Sequence, residues 1–427
     1  MVSLAAWREL YDGGSPSRKL RAEAPGRLMR ILQITPYYEP DFQKGGIVRS
    51  TSILCRELVR QGHSVTVWTT QAPEGRHASP LHSPMDRGGV EVVYFRNWAG
   101  GFLFDEFMLR RVSDITKYDV VHVAAFWQLF GWPALMAARR RGVATVISPR
   151  GSLVMVHNRA REAWKHRAMY WLYNHRALQQ ASAVHFTASI ERDDAVSLGL
   201  TSPMFRVPNA LAAEDFENLP DREASRKELS IEADQSVILF LGRLDRRKAL
   251  DVLIEGFSRA GPIRDRSVLL LAGPDDGVGQ DLREQVRSLG LDASVRFLGM
   301  VDAETRARLF SAADLSTLTS HAENFGNAAG EAMSAGLPVL VSETCGIAEH
   351  IEEYGAGRVV PVEPQAIASS LNEMLCDPAK LAEMGSRARS LVTDKYTASA
   401  VARTMARAYQ DVLSGERSVE SDWLNGG

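Results

Sequence analysis

The chain has 427 residues, 45% of them hydrophobic and 24% charged, which indicates a globular protein and excludes a disordered or fibrous one. This length favours two domains, because a single hydrophobic core seldom grows beyond about 250–300 residues. Three widely separated cysteines (Cys55, Cys345 and Cys376) argue against a disulfide framework or a zinc site and favour a reducing, cytoplasmic compartment. No apolar run reaches the ~18 residues that a membrane-spanning helix needs.

The two halves of the chain differ in charge, although the formal net charge is only −2. Residues 29–206 carry 22 Lys and Arg against 14 Asp and Glu, a balance of +8, whereas residues 207–427 carry 23 against 35, a balance of −12. A basic first half suits an anionic acceptor molecule or an anionic membrane surface. Ordinary variation in surface charge is the alternative explanation.

Residues 1–28 are polar, mixed in charge and without an apolar signal core, so we predict a disordered N-terminal extension before Met29. From Met29 to residue 206, strands alternate with helices, which indicates βαβ units and a parallel sheet. The predicted strands are 30–35, 64–70, 90–95, 120–124, 144–148 and 184–187, and the predicted helices are 47–60, 128–141 and 159–180.

The alternation starts again after Pro208-Asn209 and predicts a second parallel sheet within residues 207–393. Residues 394–427 contain an amphipathic helix, predicted to cross back to the first domain, and a tail. Two doubly wound domains are expected to face a central cleft at the carboxyl ends of their strands. The predicted strands are 237–241, 268–272, 295–298, 315–318, 338–341 and 358–360, and the predicted helices are 249–259, 280–289, 303–312, 327–335, 365–375, 380–392 and 398–413.

Two cations follow the first strand of the second sheet, within the stretch Gly242–Lys248. Arg243 can bind a phosphate through two N–H groups, whereas Lys248 supplies a point charge. The helix that follows adds free backbone N–H groups and the positive end of its dipole. This pattern predicts a diphosphate site. The alternative is a solvated basic turn, since Arg246 and Arg247 lie between the two cations.

Two carboxylates, Glu323 and Glu331, bracket a second strand-to-helix turn about 75 residues after Lys248. The turn includes 325–327 (Phe325, Gly326 and Asn327), whose backbone N–H groups lie at the start of the helix. Carboxylates beside a helix N-terminus stay ionised and accept hydrogen bonds, and sugar hydroxyls are natural donors to them. Stabilisation of the helix dipole by two surface glutamates is the alternative.

Adjacent glycines, Gly45 and Gly46, follow the first strand of the first domain. They allow a ligand to approach the backbone closely and expose two N–H groups to an anion. An ordinary turn is the alternative. No G-x-G-x-x-G pattern occurs at this position, which argues against a dehydrogenase.

Basic and aromatic residues are interleaved over 156–176, a composition that suits peripheral contact with a membrane. Packing of the aromatic side chains on the first domain is the alternative. His122 lies near the end of a predicted strand and is more typical of a structural residue than of a catalytic one. Trp127 follows it and could stack on an acceptor sugar or pack in the core.

Taken together, these features resemble a GT-B-fold retaining glycosyltransferase of glycosyltransferase family 4 (group 1), in the subgroup that carries Ser-Pro-Arg-Gly. The resemblance extends from Met29 to about Gln410, and the combination of motifs is specific although each motif alone is not. The matching pieces are the Gly45-Gly46 loop, Ser148–Gly151, Val207–Asn209, Gly242–Leu244 with Lys248 and Asp251, the Glu323 and Glu331 pair, and Ala335–Val339.

The resemblance implies an α/β protein of GT-B fold, with an acceptor-binding first domain (29–206) and a second domain (207–393) that binds a nucleotide-sugar. Members of this family typically need no metal or other cofactor, and no Asp-x-Asp triplet occurs here. The implied catalytic residues are Arg243, Lys248 and Glu323. The implied donor-binding residues are Gly45, Gly46, Arg243, Lys248, Phe325, Gly326, Asn327 and Glu331, and the possible acceptor-side residues are Arg150, Trp127 and His122.

The sequence departs from the family pattern at several positions. Arg150 stands where many relatives have histidine, Ala210 and Ala249 stand where glycine is common, and Thr319 stands where proline is usual. The implied activity is retaining, metal-independent transfer of a sugar from a UDP- or GDP-sugar to a glycan or lipid-linked acceptor in cell-surface polysaccharide biosynthesis.

Two other functions remain open at this point. One is a GT-B-fold nucleotide-sugar epimerase, and the other is an inactive glycosyltransferase-like scaffold subunit. The presence of all four predicted donor-site charges argues against the scaffold; they are Arg243, Lys248, Glu323 and Glu331. The basic, aromatic first half argues against the epimerase. A nucleic-acid partner is not expected, because the basic residues belong to no nucleic-acid-binding motif and the net charge is slightly negative.

Overall fold

The computed structural model describes residues 27–42, 45–71, 80–96, 105–124, 129–153 and 170–415, so most of the predicted extension lies outside these ranges. The chain forms two compact units. The first comprises the residues up to Ala210 together with those from Ser399 onward, and the second comprises Leu211–Ala398. The sequence analysis places the corresponding boundaries at 206/207 and 393/394. No helix within the described ranges combines the length and the apolar character that crossing a bilayer requires.

An eight-stranded sheet forms the centre of the first unit. Its strands are β1 (Arg30–Ile34), β2 (Ser64–Thr70), β3 (Pro84–Arg87), β4 (Val90–Phe95), β5 (Val120–Ala124), β6 (Ala144–Ser148), β7 (Ala183–Phe186) and β8 (Met204–Arg206). Their order is β3-β4-β2-β1-β5-β6-β7-β8, and all pairs are parallel except β3 with β4. The strand order reverses between β1 and β5, because later strands add to the other side of β1.

Both faces of this sheet are covered, since successive side chains of a strand point to opposite faces. Ile31 of β1 belongs to one apolar cluster, which includes Leu54 of the first helix. Leu32 belongs to the cluster on the other face, which includes Leu135 of the third helix. Burying each such leucine contributes about 1.5–3 kcal/mol. The helices are α1 (Gly46–Arg60), α2 (Glu106–Arg111), α3 (Trp132–Arg140), α4 (His175–Gln179) and α5 (Ser189–Ser197).

The second unit contains a six-stranded, wholly parallel sheet. Its strands are β9 (Ser236–Leu241), β10 (Ser267–Ala272), β11 (Val295–Gly299), β12 (Leu315–Leu318), β13 (Val339–Ser342) and β14 (Gly357–Val360). Their order is β11-β10-β9-β12-β13-β14. Renumbered within the unit, this is the 3-2-1-4-5-6 order of dinucleotide-binding folds, with its reversal between β9 and β12.

Helices surround this second sheet and complete its single large apolar core. They are α6 (Arg222–Glu228), α7 (Leu250–Ser258), α8 (Pro262–Asp265), α9 (Gly279–Ser288), α10 (Ala303–Ala312), α11 (Asn327–Ser334), α12 (Ala348–Tyr354), α13 (Pro364–Leu375) and α14 (Pro378–Lys395). The helix α15 (Ala398–Ser414) follows, and its apolar stripe of Val401, Met405 and Tyr409 joins the core of the first unit beside Leu54.

The structure confirms the predicted α/β class with two parallel-sheet domains. It adds elements that the sequence analysis does not predict, namely β3, β8, α2, α5, α6, α8 and α12. These are short, and β3 has the sequence Pro-Met-Asp-Arg with little strand character. The predicted helix 128–141 divides into a 3₁₀ turn, Leu129–Gly131, and α3. Most of the predicted helix 159–180 lies outside the described ranges, and its end forms a π-helical turn, Tyr170–Asn174, and α4.

Candidate active site

The two predicted motifs of the second unit lie side by side at the reversal of strand order. Gly242–Lys248 follows β9, and residues 319–326 follow β12, which is hydrogen-bonded to β9. Because the two strands are parallel, their carboxyl ends lie at one edge of the sheet, where open α/β sheets bind ligands. The N–H group of His321 donates a hydrogen bond to the carbonyl oxygen of Arg247 at 2.7 Å, which joins the two loops.

Lys248 and Glu323 form an ion pair between Nζ and Oε2 across this junction. The side chains are 18% and 20% exposed, so water screens the pair only in part. Lys248 ends a 3₁₀ turn, and the next residue, Ala249, has a φ of 46° in the left-handed region. Left-handed backbone costs an alanine about 1–2 kcal/mol. The turn therefore holds Lys248 in place against a local backbone preference.

Arg243 is held by two carboxylates. Its Nη1 lies 3.1 Å from Oδ2 of Asp276, and its Nη2 lies 3.6 Å from Oδ2 of Asp245. The loop after β10 approaches the Arg243 loop closely, since a Cβ atom on Gly273 would lie 1.8 Å from the carbonyl oxygen of Gly242. The sequence analysis does not select Asp276. The sequence feature that could have identified Asp276 is the Gly-Pro-Asp-Asp turn, which directly follows a strand and lies at the same edge of the sheet.

Glu331 lies in the second turn of α11 and is paired with a cation that the sequence analysis does not identify. Oε2 of Glu331 is 3.1 Å from Nη2 of Arg306, and both side chains are largely buried. Arg306 comes from α10, and its guanidinium lies over the rings of Phe216 and Phe310, with 5.6 and 5.5 Å to the ring centroids. Aromatic contact and ion pairing together fix the position of this guanidinium.

The backbone between the two glutamates presents hydrogen-bond donors. Within the described ranges, the N–H groups of Phe325 and Gly326 donate no hydrogen bond. Gly326 caps α11 with a φ of 104°, a conformation that side-chain-bearing residues rarely adopt. The Phe325 ring is buried edge-to-face on Tyr396 with 5.4 Å between centroids, and the carbonyl oxygen of Phe325 accepts the N–H of Ile347 at 2.8 Å. The donors of this turn are therefore held in fixed positions.

In the first unit, Gly45 and Gly46 lie where β1 leads into α1. Gly45 precedes the helix with a φ of 90° and donates its N–H to the carbonyl oxygen of Phe42 at 3.1 Å. No atom lies within 4 Å of the position that a Cβ on Gly45 would take, so the space above its backbone is open. Gly46 is exposed at the start of the helix. An open helix start of this kind suits an anion.

Arg150 follows β6 in a strained backbone conformation, with a φ of 55°. It donates a hydrogen bond through Nη1 to Oδ1 of Asn209, whereas its Nε is buried with no partner among the described residues. The next N–H, that of Gly151, donates to the carboxylate of Glu191. Burial raises the pKa of Glu191 to about 7. Strained backbone in a polar, partly buried turn is typical of functional sites.

His122 is fully buried, and both its ring nitrogens are hydrogen-bonded. Nδ1 lies 2.7 Å from the hydroxyl of Tyr409, and Nε2 lies 2.8 Å from Oγ of Ser148. Ser148 Oγ is also 2.5 Å from Nδ1 of His185, whose Nε2 lies 2.8 Å from the carbonyl oxygen of Val207. His122 therefore lies in the interior of the first unit, where its ring contacts Tyr409 of α15, Ser148 of β6 and His185 of β7.

The direction of each hydrogen bond in this buried network can be assigned, starting from the carbonyl oxygen of Val207. A carbonyl only accepts, so His185 donates through Nε2 to Val207. Burial lowers the pKa of His185 to about 3, so the ring is neutral and its Nδ1 accepts from Ser148. Ser148 then accepts from Nε2 of His122, whose neutral Nδ1 accepts from Tyr409, since burial also lowers the pKa of His122.

Two predicted features lie outside the described residues, namely Trp127 and the greater part of the basic, aromatic stretch 156–176. Among the residues that the structure does describe, no group of three or more His, Cys, Asp and Glu side chains is placed to hold a metal ion.

Comparison with protein families identifies both units. Residues 45–210 match a family described as a glycosyl transferase 4-like domain, and residues 221–391 match a family described as glycosyl transferases group 1. An uncharacterized glycosyltransferase of Methanocaldococcus jannaschii is 28% identical over 90% of this chain and 98% of its own. A D-inositol 3-phosphate glycosyltransferase of Mycobacteroides abscessus is 28% identical over 86% of each chain.

Solved structures share the fold at low sequence identity. Sucrose-phosphate synthase from Thermosynechococcus elongatus superposes with a TM-score of 0.69 at 20% identity, covering 91% of this chain and 100% of its own. HepE of Anabaena, solved in complex with UDP-glucose, gives a TM-score of 0.68 at 21% identity over 89% of this chain and 99% of its own. With both of its units matched to glycosyltransferase domains, the chain belongs to the group 1 glycosyltransferases and has their GT-B fold.

Proposed function

We propose that this glycosyltransferase moves a sugar from a UDP- or GDP-sugar to a glycan or lipid-linked acceptor, with retention of anomeric configuration. The observation that carries the proposal is the junction of β9 and β12, where Lys248 and Glu323 form an ion pair at the carboxyl ends of both strands. A nucleotide-sugar carries a diphosphate beside a polyhydroxylated ring, and cations next to carboxylates complement both parts.

Each group at this junction has a role in the proposal. Arg243 and Lys248 bind the diphosphate and neutralise the charge that develops on it as it leaves. Glu323 accepts hydrogen bonds from the sugar hydroxyls, assisted by backbone N–H groups of Phe325, Gly326 and Asn327, while Glu331 holds the ribose hydroxyls. In the first unit, Gly45 and Gly46 are the proposed phosphate contacts: the N–H of Gly45 is already donated to Phe42, so Gly46 is the proposed backbone donor and the open space at Gly45 admits the ligand.

The reaction needs no covalent enzyme intermediate. The bond between the anomeric carbon and the phosphate oxygen breaks as the acceptor oxygen bonds to the same face of the sugar ring. The acceptor hydroxyl gives its proton to the departing phosphate oxygen. Arg243 and Lys248 supply positive charge at the leaving group, so we propose that the reaction proceeds without a divalent metal ion.

We assign acceptor binding to the first unit. Its basic balance suits an acceptor that carries phosphate or lies on an anionic membrane surface. Arg150 and Trp127 are the proposed contacts. We propose that the buried His122 positions the Pro149–Gly151 turn through its hydrogen bond with Ser148, the residue before that turn. The stretch 156–176 is proposed to dock on the cytoplasmic face of the membrane, as a role in cell-surface polysaccharide biosynthesis requires.

A screen of nucleotide-sugars tests the proposal. The purified protein is incubated with UDP- and GDP-sugars, and the release of free UDP or GDP is measured with the acceptor varied second. Acceptors include lipid-linked glycans and an inositol phosphate, because the Mycobacteroides abscessus relative is named for that acceptor. An epimerase would change the sugar without net release of nucleotide. A scaffold would bind a nucleotide-sugar without turning it over, and either result would refute the proposal.

A further inference from the structure

Asp276 lies beside a cation that the proposed function assigns to the donor diphosphate. Its Oδ2 atom is 3.1 Å from Nη1 of Arg243, and the two side chains are 54% and 48% exposed. The second carboxylate, Asp245, lies 3.6 Å from the same guanidinium and is largely buried. Burial raises the pKa of Asp245, but the hydrogen bond and ion pair with Arg247 outweigh it and the pKa is lowered. The proposed phosphate-binding arginine therefore already carries an exposed counterion.

The backbone holds Asp276 at this position. Leu244 donates its N–H to the carbonyl oxygen of Pro274, and Asp276 donates its N–H to the carbonyl oxygen of Leu244, both at 2.9 Å. Asp275 accepts the N–H groups of Gly277, Val278 and Gly279 at 2.9–3.1 Å and closes the turn. The pairing of Asp276 with Arg243 is thus set by two loops joined through backbone, and not by a chance meeting of mobile side chains.

A diphosphate and the Asp276 carboxylate place like charges at one guanidinium. The exposed ion pair itself contributes little to stability, so a ligand with two or more negative charges can displace it. We propose that Asp276 is an internal competitor of the donor diphosphate: it occupies Arg243 in the absence of donor and weakens nucleotide binding. This inference rests on the proposed function and adds to it an affinity-determining residue on the loop after β10.

The sign of the effect makes the proposal testable. We expect Asp276→Asn to bind UDP about twofold to fivefold more tightly than the wild type, because it removes the repulsion and frees Arg243. Calorimetric titration with UDP at about 50 mM salt measures the change, and the gain should shrink at about 500 mM salt as charges are screened. Asp265→Asn is the matched control, because Asp265 is an exposed partner of Arg264 at 2.6 Å and loses the same charge.

A second variant shows whether Asp276 acts through Arg243. In an Arg243→Ala background, adding Asp276→Asn should give a markedly smaller gain in UDP affinity. An unchanged dissociation constant for Asp276→Asn, or weaker binding, would overturn the competitor role, since weaker binding would mean that Asp276 orients Arg243 for the phosphate. Failure of the proposed function itself is distinguishable: the wild type would then bind neither UDP nor GDP, which would overturn both ideas.

Discussion

The guanidinium of Arg306 reaches across from α10 to Glu331 of α11, with 3.1 Å between Nη2 and Oε2. The two residues belong to different helices, and the rings of Phe216 and Phe310 support the guanidinium. Glu331 is the carboxylate that we assign to the ribose of the donor. We therefore propose that Arg306 is a positioning residue, which acts on the donor through Glu331.

The ion pair between Arg306 and Glu331 predicts that the Arg306→Met variant binds the nucleotide-sugar more weakly. Methionine keeps the apolar contact with the two rings but removes the ion pair, so the KM for the nucleotide-sugar should rise about tenfold with a smaller change in kcat. Steady-state kinetics at varied donor concentration measure the changes in KM and kcat separately. Arg308→Met is the control, because Arg308 lies on the same helix and pairs with the exposed Glu228 and Glu304. A fall in kcat at constant KM would contradict the positioning role.

The ion pair between Lys248 and Glu323 predicts a larger effect on turnover. Lys248→Ala should lower transfer by about 10²–10³, the loss typical when one group that stabilises the departing charge is removed. The fold should be retained, which circular dichroism and a thermal melt can verify. Lys227→Ala on α6 serves as the control, since Lys227 is exposed. Near-normal turnover in Lys248→Ala would remove this residue from the reaction.

Chelation tests the assignment of charge neutralisation to Arg243 and Lys248. We expect the initial rate of nucleotide release to be the same with EDTA as with added Mg²⁺, because we propose that the two side chains take the place of a cation at the diphosphate. The measurement compares rates before and after dialysis against EDTA. Strict dependence on Mg²⁺ or Mn²⁺ would show that the side chains alone do not neutralise the leaving group.

The buried histidines predict a dependence of stability on pH. Burial lowers the pKa of His185 to about 3 and that of His122 well below its ordinary value of 6.5. Below pH 6.5 the unfolded chain binds protons that the folded chain does not. The contribution of each histidine to the free energy of unfolding therefore falls on acidification from pH 6.5 towards 3, by up to about 1.4 kcal/mol per pH unit, whereas the raised pKa of Glu191 acts in the opposite direction.

Tryptophan fluorescence isolates this effect, because residues 211–398 contain no tryptophan, whereas the described tryptophans Trp68, Trp132 and Trp171 lie in the first unit with His122 and His185. Urea unfolding is measured at several values between pH 5 and 7.5, and the slope of stability against pH is compared between proteins. His185→Gln should show a shallower slope than the wild type, whatever its stability at one pH. His321→Gln, exposed in the second unit, should leave the slope unchanged. Equal slopes in wild type and His185→Gln would show that His185 is not the source.

Local patterns in the sequence were sufficient to predict most of the fold. Short, mainly apolar strands, such as Val120–Ala124 and Ala144–Ser148, are predicted to the residue, because a central parallel strand is buried on both faces and is rich in apolar, β-branched residues. The alternation of strands with helices then leads to two parallel sheets. The motifs around Lys248 and Glu323 could also be placed at strand ends, since their glycines and charges lie just beyond each apolar run.

The tertiary structure decided which charged groups meet. Asp276 pairs with Arg243, and Arg306 pairs with Glu331, across separate loops or helices. These pairs depend on strand order and helix packing, which no local sequence pattern indicates. The sequence favoured a structural His122 near a strand end, and the structure confirms its burial, but its partners Tyr409 and Ser148 followed only from long-range packing. Sequence alone therefore determined the fold and the family, whereas the partners of each ionised group followed only from long-range packing.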